Sequence, residues 1–114
     1  MLYNYKAKVE RIVDGDTLKL DIDLGFTVHW KSSCRLWGIN TPELKSKVAE
    51  VRESAKLSMQ YVIDNLQVGS TILICSRELD KYGRPLIEVF FGEGLSRNLN
   101  AELLSNNLAV NYMP

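Results

Sequence analysis

At 114 residues the chain is long enough for one hydrophobic core and too short for two, so residues 1–114 read as a single domain. Hydrophobic residues at 46% and charged residues at 25% exclude extended disorder, and no apolar run is long enough to span a bilayer. Fourteen basic residues balance fourteen acidic ones, which counts against tight nonspecific binding to nucleic acid, because that affinity comes largely from neutralised phosphates.

Residues 3–13 alternate, with Tyr3, Tyr5, Ala7, Val9 and Val13 on one face and Asn4, Lys6, Lys8 and Glu10 on the other. This is the period of a half-buried strand. The opening MLYNYKAKVER lacks the apolar block of a secretory signal, which points to a cytoplasmic protein. Asp14-Gly15 is a turn signal, and a second alternating run follows with Leu18, Leu20, Ile22 and Leu24 facing inward. Gly25 marks another reversal. A third strand is expected over 28–39, carrying Val28, Trp30, Leu36, Trp37 and Ile39. The single histidine, His29, has no Cys or His companion and reads as structural. Cys34 and Cys75 have no metal-ligand spacing and read as a buried reduced pair.

Pro42 stops the sheet. From about Ser46, the spacing of Val48, Val51, Ala55, Met59, Val62 and Leu66 predicts an amphipathic helix ended by Gly69. Two more strands are expected over 71–77 and 86–91, joined by the charged turn ELDKYGRP. Ser96 is the expected cap of a second helix bearing Leu99, Leu103, Leu104 and Leu108. The order is three strands, helix, two strands, helix. It fits an α+β, mainly β fold: a five-stranded OB-type Greek-key barrel with a helix between strands 3 and 4 and another after strand 5. Lys31, Arg35, Lys45, Lys47, Arg52 and Lys56 face only Glu43, Glu50 and Glu53 in the same stretch, which offers a local positive face on a neutral chain.

Four clusters carry chemistry: Asp14-Gly15-Asp16-Thr17, Arg35, Asn40-Thr41-Pro42-Glu43 and Asp80-Lys81-Tyr82-Gly83-Arg84. Singly, each reads as an ordinary turn or strand end. The first is not an EF-hand loop, since Leu18 and Gly25 stand where such a loop needs ligands. Together they supply hard oxygen donors for a divalent cation, a carboxylate to activate water, and two arginines whose planar forks suit phosphate. That combination points to phosphodiester hydrolysis.

At these residues the chain resembles the staphylococcal nuclease (thermonuclease) family. The likeness runs from VERIVDGDTLKL through CRLWGINTPE and DKYGRPLIEVF to LNAELLSNNLAVNY, with the blocks in the same order and at similar spacing. The resemblance implies a single Ca²⁺ ion held by Asp16, Asn40 and the backbone carbonyl of Thr41. It makes Glu43 the carboxylate proposed as general base, Arg35 and Arg84 the arginines on the scissile phosphate, and Lys81, Tyr82 and Tyr112 the nucleotide contacts, with a one-residue gap before Tyr112. The implied reaction is cleavage of single-stranded or frayed DNA and of RNA, leaving 3′-phosphate ends.

Three departures stand out. Asn40 falls where the family has an aspartate, so the metal site loses a formal charge. The 114 residues do not include the C-terminal helix of longer members, which points either to a naturally minimal domain or to a core covered by a partner or second copy. The loop after Glu43 is compact, and the long hairpin DIDLGFTVHWKSS has a phage-type look. Two further readings compete with the nuclease. One is a nonenzymatic OB-type module that binds nucleic acid or protein. The other is a structural barrel with incidental charged turns.

Overall fold

A computed structural model describes residues 3–112. Five long strands form a closed barrel: β1 (Tyr3–Ile12), β2 (Thr17–Asp23), β3 (His29–Leu36), β5 (Thr71–Leu79) and β6 (Pro85–Phe91). They pair antiparallel in the order β3-β2-β1-β5-β6, and a parallel contact between β3 and β6 closes the circuit. That is the expected OB-type arrangement, mainly β with two helices. Between β3 and β5 the chain forms β4 (Ile39–Asn40) and α1 (Ala49–Asn65). After β6 it forms β7 (Arg97–Asn98), α2 (Leu99–Ser105) and β8 (Val110–Asn111).

The alternation read from the sequence builds the interior. Ala7, Val9, Leu18, Leu20, Ile22, Cys34, Leu36, Ile72, Ile74, Ile87 and Val89 point into the barrel, and Val62, Leu66, Leu99 and Leu103 close it from the helices. Both cysteines are free and buried, and burial pushes the Cys34 thiol up to about 12. His29 is exposed, with Nδ1 3.0 Å from Asp21 Oδ1. Among the described residues no helix is long and apolar enough to cross a membrane.

Several local expectations fail for physical reasons. A β-bulge at Glu10 shifts the β1 register, so that Ile12, not Val13, fills the core. The inward row also overruns the barrel at the β2–β3 hairpin, where Leu24, Val28 and Trp30 are exposed and Phe26 is 99% exposed. Phe26 and Thr27 hold left-handed φ values of 55° and 63°, strained for side chains of that size. The strand expected over 28–39 ends at Leu36, because Gly38 (φ 79°) turns the chain and β4 pairs instead with β8.

The first helix starts at Ala49 instead of near Ser46: its N-cap is Val48, which offers no side-chain acceptor and is itself exposed. The second helix is capped by Asn98, whose side chain accepts the Ala101 N–H at 3.1 Å, while Ser96 Oγ donates to the Glu93 carbonyl. Three of the basic residues of 31–56 have partners close by. Lys31 lies 3.7 Å from Glu10, Lys56 lies 3.2 Å from Glu53, and Arg52 donates to the Ser46 carbonyl.

Candidate active site

The site lies at the barrel end where β3 and β6 meet, and backbone pairing assembles it. Arg35, near the end of β3, sits beside Leu86 of β6, two residues after Arg84. The Leu36 N–H donates to the Asp16 carbonyl at 2.9 Å, which ties the turn after β1 to the same strand end. The short β4–β8 ladder carries Asn40 and leads into Tyr112, whose N–H donates to the Gly38 carbonyl at 2.9 Å. That places the Arg35 guanidinium 5.4 Å from the Tyr112 ring centroid.

An open cleft of about 450 Å³ results, lined by Arg35, Arg84, Lys81, Tyr82 and Tyr112 together with Trp37 and Leu79. Two distant segments contribute its three cations, and Glu78 and Asp80 line it as well. Arg84 is held by its own turn. Asp80 Oδ1 accepts the Tyr82 and Arg84 N–H groups at 2.8 and 2.9 Å, and Asp80 Oδ2 accepts Arg84 Nε at 2.8 Å. Burial works against the Asp80 charge, but the Arg84 N–H and guanidinium and the Tyr82 N–H outweigh it, and its pKa lies below the usual carboxylate value. The fork of Arg84 is therefore aimed before any ligand arrives.

Asp16, only 6% exposed, lies beneath Arg35. Its Oδ2 accepts the Thr41 N–H at 3.1 Å and stands 3.7 Å from Arg35 Nη2, and its Oδ1 accepts the Thr17 hydroxyl at 3.2 Å. Asn40 Oδ1 accepts Arg35 Nη2 at 2.8 Å. Asp16, Asn40 and Thr41 are thus brought together beside Arg35. Glu43 is exposed in the loop between β4 and α1 and lies outside the cleft lining.

The implied calcium donors are a carboxylate, a carboxamide and a backbone carbonyl. All are hard oxygens, and their chemistry fits calcium. The cluster is nevertheless poor in charge: among the described residues no three His, Cys, Asp or Glu side chains converge, and Arg35 faces both the Asp16 and the Asn40 oxygens.

Asp14, which the sequence places in one cluster with Asp16 but without a role of its own, touches Asp16 directly. Its Oδ1 accepts the Asp16 N–H at 2.9 Å, and burial, reinforced by Asp16, raises its carboxyl to about 6. The Asp-x-Asp spacing was the available signal. Gly15 between them has no room for a side chain, since a Cβ there would stand 2.9 Å from Ser58 Cβ and 3.1 Å from the Thr41 side chain. Gly15→Ala is expected to lower stability by about 1–3 kcal/mol through this overpacking. Denaturant unfolding at constant slope measures it, and an unchanged midpoint contradicts the packing.

The closed five-stranded barrel thus carries two arginines and two tyrosines at one end. A family model described as staphylococcal nuclease homologue matches residues 33–113. The span includes Arg35, Asn40–Glu43, the Asp80–Arg84 turn and Tyr112, and begins after Asp16. The thermonuclease of Staphylococcus intermedius is 31% identical over 102 residues, covering 89% of this chain and 56% of that protein. The chain belongs to the staphylococcal nuclease homologue family, and it spans little more than half the length of that relative.

Proposed function

We propose that the protein is a nuclease that hydrolyses phosphodiester bonds of single-stranded DNA, RNA or both with the help of one Ca²⁺ ion. The observation that carries this reading is the preset pair Arg35 and Arg84 in a cleft flanked by Tyr82 and Tyr112. Two planar guanidinium forks grip the non-bridging oxygens of a phosphate and strengthen their hold as charge grows on the five-coordinate phosphorus. Tyr82 and Tyr112 offer ring faces to the attached nucleoside, and Lys81 adds a mobile charge for a neighbouring phosphate. An open cleft of this size suits an unpaired strand rather than a duplex.

Asp16, Asn40 and the Thr41 carbonyl would hold the calcium, which when bound supplies Lewis-acid help to the phosphate and to the attacking water. Glu43, two residues beyond Thr41, takes the proton of that water in our reading. The water oxygen bonds to phosphorus, the P–O5′ bond breaks, the departing oxygen is protonated from solvent, and the 3′-phosphate stays on the upstream fragment. The rate of cleavage of a labelled single strand tests the metal requirement. Calcium should support it better than zinc, since the donors include neither thiolate nor imidazole. Full activity in excess chelator would overturn it.

One observation favours a second reading, that of a nucleic-acid-binding module that does not cut. Asn40 contributes no charge, and its oxygen is engaged by Arg35. The two readings divide on the behaviour of Asn40→Asp.

A further inference from the structure

We infer that Trp37, braced by Arg77, is a stacking platform for a second base, one flanking the scissile phosphate. The inference rests on reading the cleft as a single-strand nuclease site. Trp37 lies two residues beyond Arg35, at most about 7 Å along the chain, and lines the same cleft. It is partly exposed there instead of being absorbed into the barrel interior.

Two hydrogen bonds hold its backbone, and Arg77 covers one face of its ring. The Trp37 N–H donates to the Ile87 carbonyl at 2.7 Å, and the Trp37 carbonyl accepts Nδ2 of the buried Asn100 at 2.9 Å. The Arg77 guanidinium lies 3.9 Å from the indole centroid. Arg77 is the extra residue of a β-bulge in β5, where Ser76 faces Ile87 and Glu78 faces Leu86. The bulge turns the arginine out of the strand's regular alternation and toward the indole. Its charge is then held by Glu88, with Nη1 2.8 Å from Oε1, and Glu88 Oε2 accepts Asn98 Nδ2 at 3.1 Å. The arginine thus adds little free positive charge to the cleft. What the assembly provides is a rigid aromatic surface.

A rigid aromatic at a cleft that binds a flexible chain has an evident use. Every base has a π-face, so stacking adds affinity without demanding one sequence, and a ring already held in place loses little entropy on binding. Leu79, 61% exposed on the same rim, adds apolar surface beside it. The occupant is therefore an unpaired base carried by the same strand whose phosphate sits between Arg35 and Arg84. A duplex, with its bases stacked on one another, has no face to offer.

Two measurements test the platform. In the first, Trp30→Phe leaves Trp37 as the sole source of indole emission, and the protein is titrated with a single-stranded octanucleotide in chelator, so that no cleavage is needed. Emission should be quenched on binding, and duplex of the same sequence should quench much less. In the second, Trp37→Ala should raise KM for that octanucleotide roughly tenfold, the scale of one stacked base, with kcat within twofold. Trp37→Phe should restore most of the loss. Quenching without cleavage in any divalent ion would reject the nuclease reading and keep the platform. Cleavage with neither quenching nor a change in KM would keep the nuclease and reject the platform. Absence of both binding and cleavage would reject both.

Discussion

Arg84→Lys should lower kcat by roughly 10²-fold or more while leaving the fold intact, the scale of losing one preorganised donor to a transition-state oxyanion. Lysine keeps the positive charge but offers a single point of contact in place of a planar fork. It also has no Nε–H to give Asp80 Oδ2, now 2.8 Å away, so the brace that aims the side chain goes with the fork. Arg35→Lys should cost a similar factor, because Arg35 Nη2 reaches Asn40 at 2.8 Å and its guanidinium sits against Tyr112. Single-turnover kinetics with circular dichroism on each variant check this. Near wild-type turnover in Arg84→Lys would remove that residue from the chemistry.

Asn40→Asp is expected to tighten calcium binding about tenfold or more, since an added carboxylate beside Asp16 attracts a divalent ion strongly at short range. Asp16 alone would make a second carboxylate repulsive in the metal-free protein. Arg35 changes that sign, because its Nη2 is 2.8 Å from Asn40 Oδ1 and would form an ion pair with the new carboxylate. Metal-free stability should therefore hold or rise, and calcium should add to it by linkage. Thermal-shift titration with calcium, run beside cleavage at limiting calcium, measures both. An inert variant with no calcium response favours the binding module.

Much of the fold could be read from period alone. Leu18, Leu20 and Ile22 lie on one face because strands alternate, and Ala55, Ser58 and Val62 on another because helices turn every 3.6 residues. What escaped depends on pairing between distant segments. No local signal announces that β4 and β8, two residues each, will meet, although this ladder sets the place of Asn40 and Tyr112. The bulges at Glu10 and Arg77 are likewise properties of a strand pair, visible only once Leu18–Leu20 or Leu86–Ile87 lies opposite. Leu24, Val28 and Trp30 carry the core pattern correctly but lie beyond the end of the barrel they were expected to fill.

The candidate site divides in the same way. Arg35, Arg84, Lys81, Tyr82 and Tyr112 were legible from the resemblance and share one cleft, and Asp16, Asn40 and Thr41 gather beside it. Glu43 lies in the exposed loop before α1, Asp14 was read as part of its cluster without a role of its own, and Trp37 looked like one more strand residue. The zero net charge says nothing of where charges gather: Arg35, Lys81 and Arg84 share the cleft with Glu78 and Asp80.

The central claim is that the two arginines act on a phosphodiester that is broken, and the chemistry of the ends tests it most directly. A single-stranded DNA and a single-stranded RNA, each 5′-labelled, are incubated with the protein and calcium, and the fragments are treated with a phosphatase specific for 3′-phosphates. The account predicts cleavage that stops in chelator, with fragments whose mobility shifts on phosphatase treatment. Intact strands in every divalent ion tried, or fragments ending in 3′-hydroxyl, would contradict it.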